Sequence, residues 1–467
     1  MSKPPLTILT DDDVRTLLHS LTREDIIKLH QSLANSLHYY SSGDTDENNN
    51  NCSASFQPGR VTMNRKDKSS TLFMPGSSSD GMGFKVVTLA ESKRDSPGLP
   101  VDEESTRSSI SSMSISHSNS TSSQTASDIP SYPASAPDST LSGSTAVSNV
   151  TTSPAGSLTL LDRQGSPRAF INASEITAFR TALASTLLFA KRQNVHDVVI
   201  FGAGKQAYWH ARLALLLRGP DIHHLNIINR SFESGVELFK KLFKTEYPVP
   251  VSHPKTEMVT PAHTEYARHL KSLLRSASVI FCTTPSTTPL FPHDILTSTE
   301  GRRKGRYIAA IGSFKPHMVE LHPDIIKQAV APHHGHHFHK HAKQGGAVVV
   351  DSVEACLREA GELVQAGLGG REVVELGELI MLKRDALQRK AERQSGSESS
   401  SLSEGVQFGR GDKKKGDADD DGGLVDWLQR GNVIYKSVGM ALMDCVVGND
   451  LVRLADAKGI GIKIDNF

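Results

Sequence analysis

Apolar and polar positions along this chain follow two rhythms, interrupted by stretches that follow neither. From Asp197 to about Leu382, short apolar runs (VVIFG, LNIINR, SVIFCTT, YIAAIG, AVVVD) alternate with helical stretches. Apolar strands separated by helices are the pattern of a parallel sheet covered on both faces. An α/β protein is therefore expected. Upstream, residues 8 to 40 predict one or two short helices opened by Thr10, Asp11, Asp12 and Asp13, since acidic groups suit a helix N-terminus. Residues 83 to 89, GFKVVTL, predict a strand. Residues 174 to 192, SEITAFRTALASTLLFAKR, predict a long helix capped by Ser174. Residues 433 to 467 predict a helix and a short end.

Two tracts carry no period. Between Ser105 and Ser153, 26 of 49 residues are Ser or Thr, too few apolar groups to offset chain entropy, so disorder is expected. Residues 392 to 423 are rich in Ser, Gly and charge and carry the same expectation. A third segment, HHGHHFHKH at 333 to 341, has six histidines in nine positions. Imidazoles at that spacing can chelate zinc or nickel, but no cysteine or carboxylate set accompanies them, and no functional metal site is expected.

Composition then narrows the classes. The chain has 467 residues, a net charge of +1 and 37% hydrophobic residues. Length suggests about three domains; setting the two tracts aside lowers that to two, and places the low apolar share in the tracts. Near-zero charge argues against a nucleic-acid or polybasic membrane partner. Cys52, Cys282, Cys356 and Cys445 are far apart, which excludes a zinc ribbon or disulfide scaffold and fits a reducing, cytoplasmic setting. No apolar run is long enough to span a bilayer, and the N-terminus lacks a signal-peptide pattern.

The strongest chemical signal starts at Val198: VVIFGAGKQAYWHARLALLL. A buried strand runs into Gly202, Ala203, Gly204, Lys205, Gln206 and Ala207, and a helix follows. Gly202 permits the tight turn, Gly204 lets backbone approach a pyrophosphate, and Ala207 allows close helix–strand packing. The second strand ends in Asn229, Arg230 and Ser231 rather than in the acid that holds a ribose 2′-hydroxyl. An arginine with small polar neighbours suits a 2′-phosphate, so NADP(H) is expected over NAD(H). Two further cations sit in apolar surroundings. Arg180 lies in the stripe Ile176, Phe179, Leu183, Leu187, where a guanidinium needs an anion, whether a protein carboxylate or a ligand. Lys85 alternates onto the face of Val87 and Leu89, where it either pairs, has a lowered pKa useful in proton transfer, or reaches water at a sheet edge.

Seven strings in order then resemble the ornithine cyclodeaminase/μ-crystallin family: FMPG with FKVVTLAE, ITAFRTALAS, GAGKQA with INRS, CTTPSTTPLF, YIAAIGSFKPHMVELHP, VVVDSVEACLREAGEL and YKSVGMALMD. The resemblance implies a Rossmann-type domain inserted in a discontinuous α+β substrate and dimerisation domain. Its N-terminal part would be 1–190, the NADP-binding domain 191–391, the linker 392–423 and the returning C-terminal part 424–467. It implies that Arg60, Lys85 and Arg180 surround a substrate carboxylate. Ala203, Lys205, Gln206, Asn229, Arg230 and Ser231 would touch the nucleotide; Thr283, Thr284 and Ser437 would lie near the nicotinamide. Cyclodeaminase-type members place an aspartate two residues after Gly312; here that residue is Phe314. With the NADP-type strand ending, this favours an NADPH-dependent reductase of cyclic imino acids, with Lys85 as catalytic group, over ornithine cyclodeamination, amino-acid dehydrogenation or non-catalytic ligand binding; the resemblance alone implies a homodimer.

Overall fold

The computed structural model describes residues 4–42, 51–67, 69–89, 155–244, 247–249, 253–331, 346–381 and 428–467. The tracts expected to be disordered and the histidine run lie outside these residues. Among the described residues, fifteen strands form two sheets within one compact unit.

The first sheet is made of β1 (Leu6–Leu9), β2 (Val61–Asn64), β3 (Ser70–Ser78), β4 (Gly81–Leu89), β5 (Ala155–Asp162), β6 (Pro167–Asn172) and β15 (Ile462–Ile464), in the order β15-β1-β6-β5-β4-β3-β2. Its pairs are antiparallel except β1 with β6. The second sheet is wholly parallel: β7 (Asp197–Phe201), β8 (His224–Ile228), β9 (Lys255–Val259), β10 (Val279–Cys282), β11 (Tyr307–Ala310), β12 (Gly346–Val350), β13 (Val373–Glu375) and β14 (Asn432–Lys436). Its order is β13-β12-β14-β11-β10-β7-β8-β9. The order reverses at β7, with β8 and β9 on one side and β10 and β11 on the other. That is the doubly wound, Rossmann-type arrangement, whose ligand crevice opens at the carboxyl ends of the strands where the order reverses.

The helices are α1 (Asp11–His19), α2 (Arg23–Ser42), α3 (Ala173–Phe189), α4 (Lys205–Arg218), α5 (Phe232–Phe243), α6 (Tyr266–Ser276), α7 (Asp294–Thr297), α8 (Pro323–Val330), α9 (Val353–Glu359), α10 (Gly361–Ala366) and α11 (Ala441–Lys458). Thr10 opens α1 through a reciprocal capping box with Asp13. The long helix differs from expectation at its start. Asn172, not Ser174, is the cap, because its side chain accepts the Ser174 amide hydrogen at 2.9 Å while Ser174 lies inside the helix. The C-terminal stretch differs more: residues 432–436 form a strand before the helix, inserted between β11 and β12. A five-residue segment completing a sheet begun more than 200 residues earlier leaves no local period to read.

Helix α11 lies on the inner face of the first sheet at glycine contacts. A Cβ at Gly76 would lie 2.9 Å from Ala441 Cβ, and one at Gly83 would lie 2.8 Å from Cys445 Sγ. The absent side chains bring helix and strand backbones close enough for residue 444 to reach β4.

Candidate functional site

The site joins the carboxyl edge of the parallel sheet to the inner face of the other sheet. At the parallel edge, Gly202 follows β7 with φ +107°, and a Cβ there would lie 2.9 Å from Thr283 Oγ1 and 3.0 Å from Thr284 Cγ2. Glycine is required both for the backbone conformation and for this approach. Thr283 Oγ1 donates to the Phe201 carbonyl at 2.6 Å, joining the ends of β7 and β10. Gly204 is the N-cap of α4, with no side-chain cap, and a Cβ there would meet nothing within 4 Å. Ala203 is half-buried, and Gln206 carries a buried amide oxygen with no hydrogen-bond partner among the described residues. An uncapped helix start, an open glycine and an orphaned amide fit a pyrophosphate-bearing dinucleotide.

The side chain of Lys205 is directed elsewhere. Its ammonium contacts Glu175 Oε1 and Ser174 Oγ of α3, each at 2.7 Å, while the buried Trp209 Nε1 donates to Glu175 Oε2 at 2.8 Å. Lys205 thus ties the nucleotide turn to the helix bearing Arg180, and offers the turn only its backbone amide. At the end of β8, Asn229 Nδ2 donates to the Ser231 carbonyl at 2.9 Å. Arg230 is exposed. Ser231 caps α5 and donates to Glu233 Oε2 at 2.8 Å.

Beneath the turn is a buried charged network that the sequence reading did not include. Glu320 accepts the amide hydrogens of Thr284 and Gly312, each at 2.7 Å. Glu362 Oε1 accepts the Glu320 amide hydrogen at 2.7 Å, and Glu362 Oε2 pairs with Lys436 Nζ at 3.2 Å. Burial pushes the Glu320 carboxyl up to about 7, against the opposing pull of Lys436. The network fixes the loops after β10 and β11, and with them the Thr283–Thr284 and Ser313–Phe314 segments. Ser437 Oγ and the Gly439 amide both donate to Asp351 Oδ2 at 2.7 Å, which sets the course of the loop from β14 to α11.

That loop reaches the cations. Gly439 has φ +85°, and a Cβ there would lie 2.6 Å from an Arg180 guanidinium nitrogen. Arg180 Nε and Lys85 Nζ converge on one oxygen, Asp444 Oδ1, at 3.3 and 2.9 Å. All three side chains are buried. The anion required by Arg180 is thus a protein carboxylate on α11, and Lys85 points inward with Val87 rather than out at an edge. Burial lowers the Lys85 ammonium to about 8, with Asp444 opposing and Arg180 reinforcing that shift. Arg60 stands apart from this group: it forms an ion pair with Glu359 and donates to the Val438 carbonyl at 3.5 Å. Residues 438 and 439 therefore approach Arg60 and Arg180 in turn, while Lys85 joins Arg180 through Asp444.

The only sequence signal for Asp444, Lys436 and Glu320 was a lone charge inside an apolar string. Such a charge is visible as an anomaly, but its partner is not. Among the described residues, His293, His322 and Asp324 bring potential metal-ligand atoms within 4.8 Å of one another. His322 Nδ1, however, accepts the Asp324 amide hydrogen at 3.2 Å as the cap of α8, so that lone pair is already engaged. No described helix is long and apolar enough to cross a membrane.

Comparison with known proteins agrees with this layout. The family model of the ornithine cyclodeaminase/mu-crystallin family matches residues 147–376. An uncharacterized protein of Saccharomyces cerevisiae is 28% identical over 236 residues, 46% of this chain and 60% of that protein. A Delta(1)-pyrroline-2-carboxylate reductase of Bacillus cereus is 27% identical over 308 residues, 64% of this chain and 71% of that protein. Among solved structures, Thermococcus litoralis Delta(1)-pyrroline-2-carboxylate reductase, in complex with NADH and L-proline, superposes with a TM-score of 0.58 at 16% identity, covering 98% of this chain and 100% of that one. At that identity the likeness establishes the shared fold.

Proposed function

This chain belongs to the ornithine cyclodeaminase/mu-crystallin family, and from that premise we propose that it is an NADPH-dependent reductase of cyclic α-imino acids. The observation that carries the reading is the inward-facing pair Lys85 on β4 and Arg180 on α3, together with the uncapped Gly202–Gly204 turn that Lys205 ties to α3. Gly202, Ala203, Gly204, the Lys205 amide and Gln206 would hold the pyrophosphate, Asn229, Arg230 and Ser231 the adenosine ribose, and Thr283, Thr284 and Ser437 the nicotinamide end. Bound there, the dinucleotide supplies a hydride. Arg180, with Arg60 across the 438–439 loop, attracts and orients the substrate carboxylate. Lys85 holds the proton of the imine nitrogen, because an iminium carbon accepts hydride better than a neutral imine.

Phe314 supports reduction over cyclodeamination, since a phenyl ring neither takes a proton nor orients water. Arg230 at the end of β8 supports NADPH over NADH. The four buried cysteines, none of them in a disulfide among the described residues, support a reducing compartment such as the cytoplasm. The outer face of the first sheet supports a homodimer. Val61, Phe73, Met82, Phe84, Phe170 and Ile462 are exposed there, and register places Phe84, Thr159 and Phe170 side by side.

The test is cofactor oxidation with pyrroline-2-carboxylate and piperideine-2-carboxylate, beside an ammonia-release assay with L-ornithine. Oxidation of NADPH faster than NADH, without ammonia release, is expected. Ammonia release from ornithine without net cofactor consumption would instead establish the cyclodeaminase reaction. NADPH binding with neither reaction would leave a ligand-binding protein.

A further inference from the structure

Asp444 sits in the middle of an apolar helix segment, Ala441-Leu442-Met443-Asp444-Cys445-Val446-Val447, and is completely buried. A carboxylate there is unfavourable unless something else requires it. Its Oδ1 takes hydrogen bonds from β4 and from α3, through Lys85 Nζ and Arg180 Nε. Its Oδ2 is buried with no hydrogen-bond partner among the described residues. We propose that Asp444 is the positioning residue for the Lys85 ammonium, fixing it between sheet and helix and reducing the charge of the Lys85–Arg180 pair to that of a single cation, so that the site matches a monocarboxylate substrate. This rests on the reductase reading given above and extends it to the proton donor and the substrate class.

Three observations support it. The first is geometry: the Gly83–Cys445 approach brings α11 close enough that a residue next to Cys445 reaches a side chain two positions beyond Gly83. The second is charge. Lys85, Arg180 and Asp444 sum to one positive charge, and Arg60 is already neutralised by Glu359. One substrate carboxylate balances the group; a second would be buried without a partner. The third is the electrostatic surrounding of Lys85. The groups facing it are Asp444 and Cys445 on α11 and Arg180 on α3, with Cys52 beyond Cys445. Burial and Arg180 act against the ammonium, and Asp444 is the main group acting for it.

The experiment uses the full chain with Asp444→Asn, Asp444→Glu, Lys85→Met and the Lys85→Met/Asp444→Asn double variant. With pyrroline-2-carboxylate and NADPH, the high-pH limb of turnover in Asp444→Asn is expected to move to lower pH by about one unit or more, and Asp444→Glu to move it back. NADPH affinity should stay within about two-fold of the parent in both. A limb that stays in place in Asp444→Asn, or turnover of a dicarboxylic imino acid as efficient as that of the monocarboxylic one, would overturn the proposal.

A second readout needs no turnover. The Lys85 pKa lies below its ordinary value of 10.5, so the unfolded chain binds the extra proton between about 8 and 10.5, and stability from this group rises with pH across that window. In Asp444→Asn the rise should begin at lower pH, and in the Lys85→Met background the substitution should leave the pH dependence of Tm unchanged. If the parent chain reduces no imino acid, the reductase reading falls, while this coupling still decides the link from Asp444 to Lys85. Absence of coupling overturns the proposal whether or not the enzyme turns over.

Discussion

A lysine and an arginine among apolar side chains require anions, and one aspartate serves both here. The pairing fixes what each does at neutral pH. With the Lys85 ammonium lowered to about 8, it remains largely protonated at pH 7 and loses its proton as pH rises through 8. Turnover of a cyclic imino acid is therefore expected to fall above about pH 8, as read from the pH dependence of kcat. Lys85→Met should lower kcat about 100-fold or more, the usual size of a lost general acid, with NADPH affinity largely kept. At the other end of the site, Arg230 is exposed beside a capping serine and an acid, Glu233. Losing one charge-assisted hydrogen bond costs about 1.5–3 kcal/mol, so Arg230→Ser should weaken NADPH binding about ten-fold or more and leave NADH binding unchanged. Equal effects on both cofactors would remove the 2′-phosphate assignment.

At the scale of elements, the site depends on how closely α11 approaches β3, β4 and β5. Gly76, Gly83 and Gly448 remove the Cβ atoms that would separate them; at Gly448 a Cβ would lie 2.7 Å from Leu158. Gly83→Val introduces bulk against Cys445 and the Thr159 carbonyl and is expected to destabilise the chain by about 1–3 kcal/mol, measured by urea unfolding. It should also weaken substrate binding, because it moves Asp444 away from Lys85. The start of α3 provides a contrasting case. Asn172→Ala removes a cap and should cost about 1 kcal/mol without altering the Lys85–Asp444 contact. The element pattern also explains which strands were readable. Runs such as VVIF and YIAA are buried on both faces and show as continuous apolar stretches. Strand β9, KTEMV, is an edge strand with three exposed polar residues and carries no such signal.

At the scale of the whole molecule, one face of the first sheet carries exposed apolar groups among the described residues. The exposed aromatic groups on β3, β4 and β6 lie opposite the face that holds Lys85, because alternation along β4 sends Phe84 and Lys85 to opposite sides. Phe84→Glu with Phe170→Glu is expected to convert a dimer to a monomer by sedimentation or light scattering, with NADPH binding retained. An unchanged mass would remove the second copy as occupant of that face.

Local patterns sufficed for the parallel sheet, the glycine turn and the anomaly of two cations in apolar surroundings, since strand hydrophobicity, turn chemistry and helix periodicity act over a few neighbouring residues. The family resemblance, and not local pattern, set Lys85, Arg180 and Ser437 in ordered strings and added Arg60 upstream of them as an expected anchor. Folding decided the partners. Lys85 and Asp444 are 359 positions apart, and Lys436 and Glu362 meet only because β14 enters the sheet between β11 and β12. An ion pair forms where two chain segments are brought within a few ångströms, and no spacing along a single sequence records that distance.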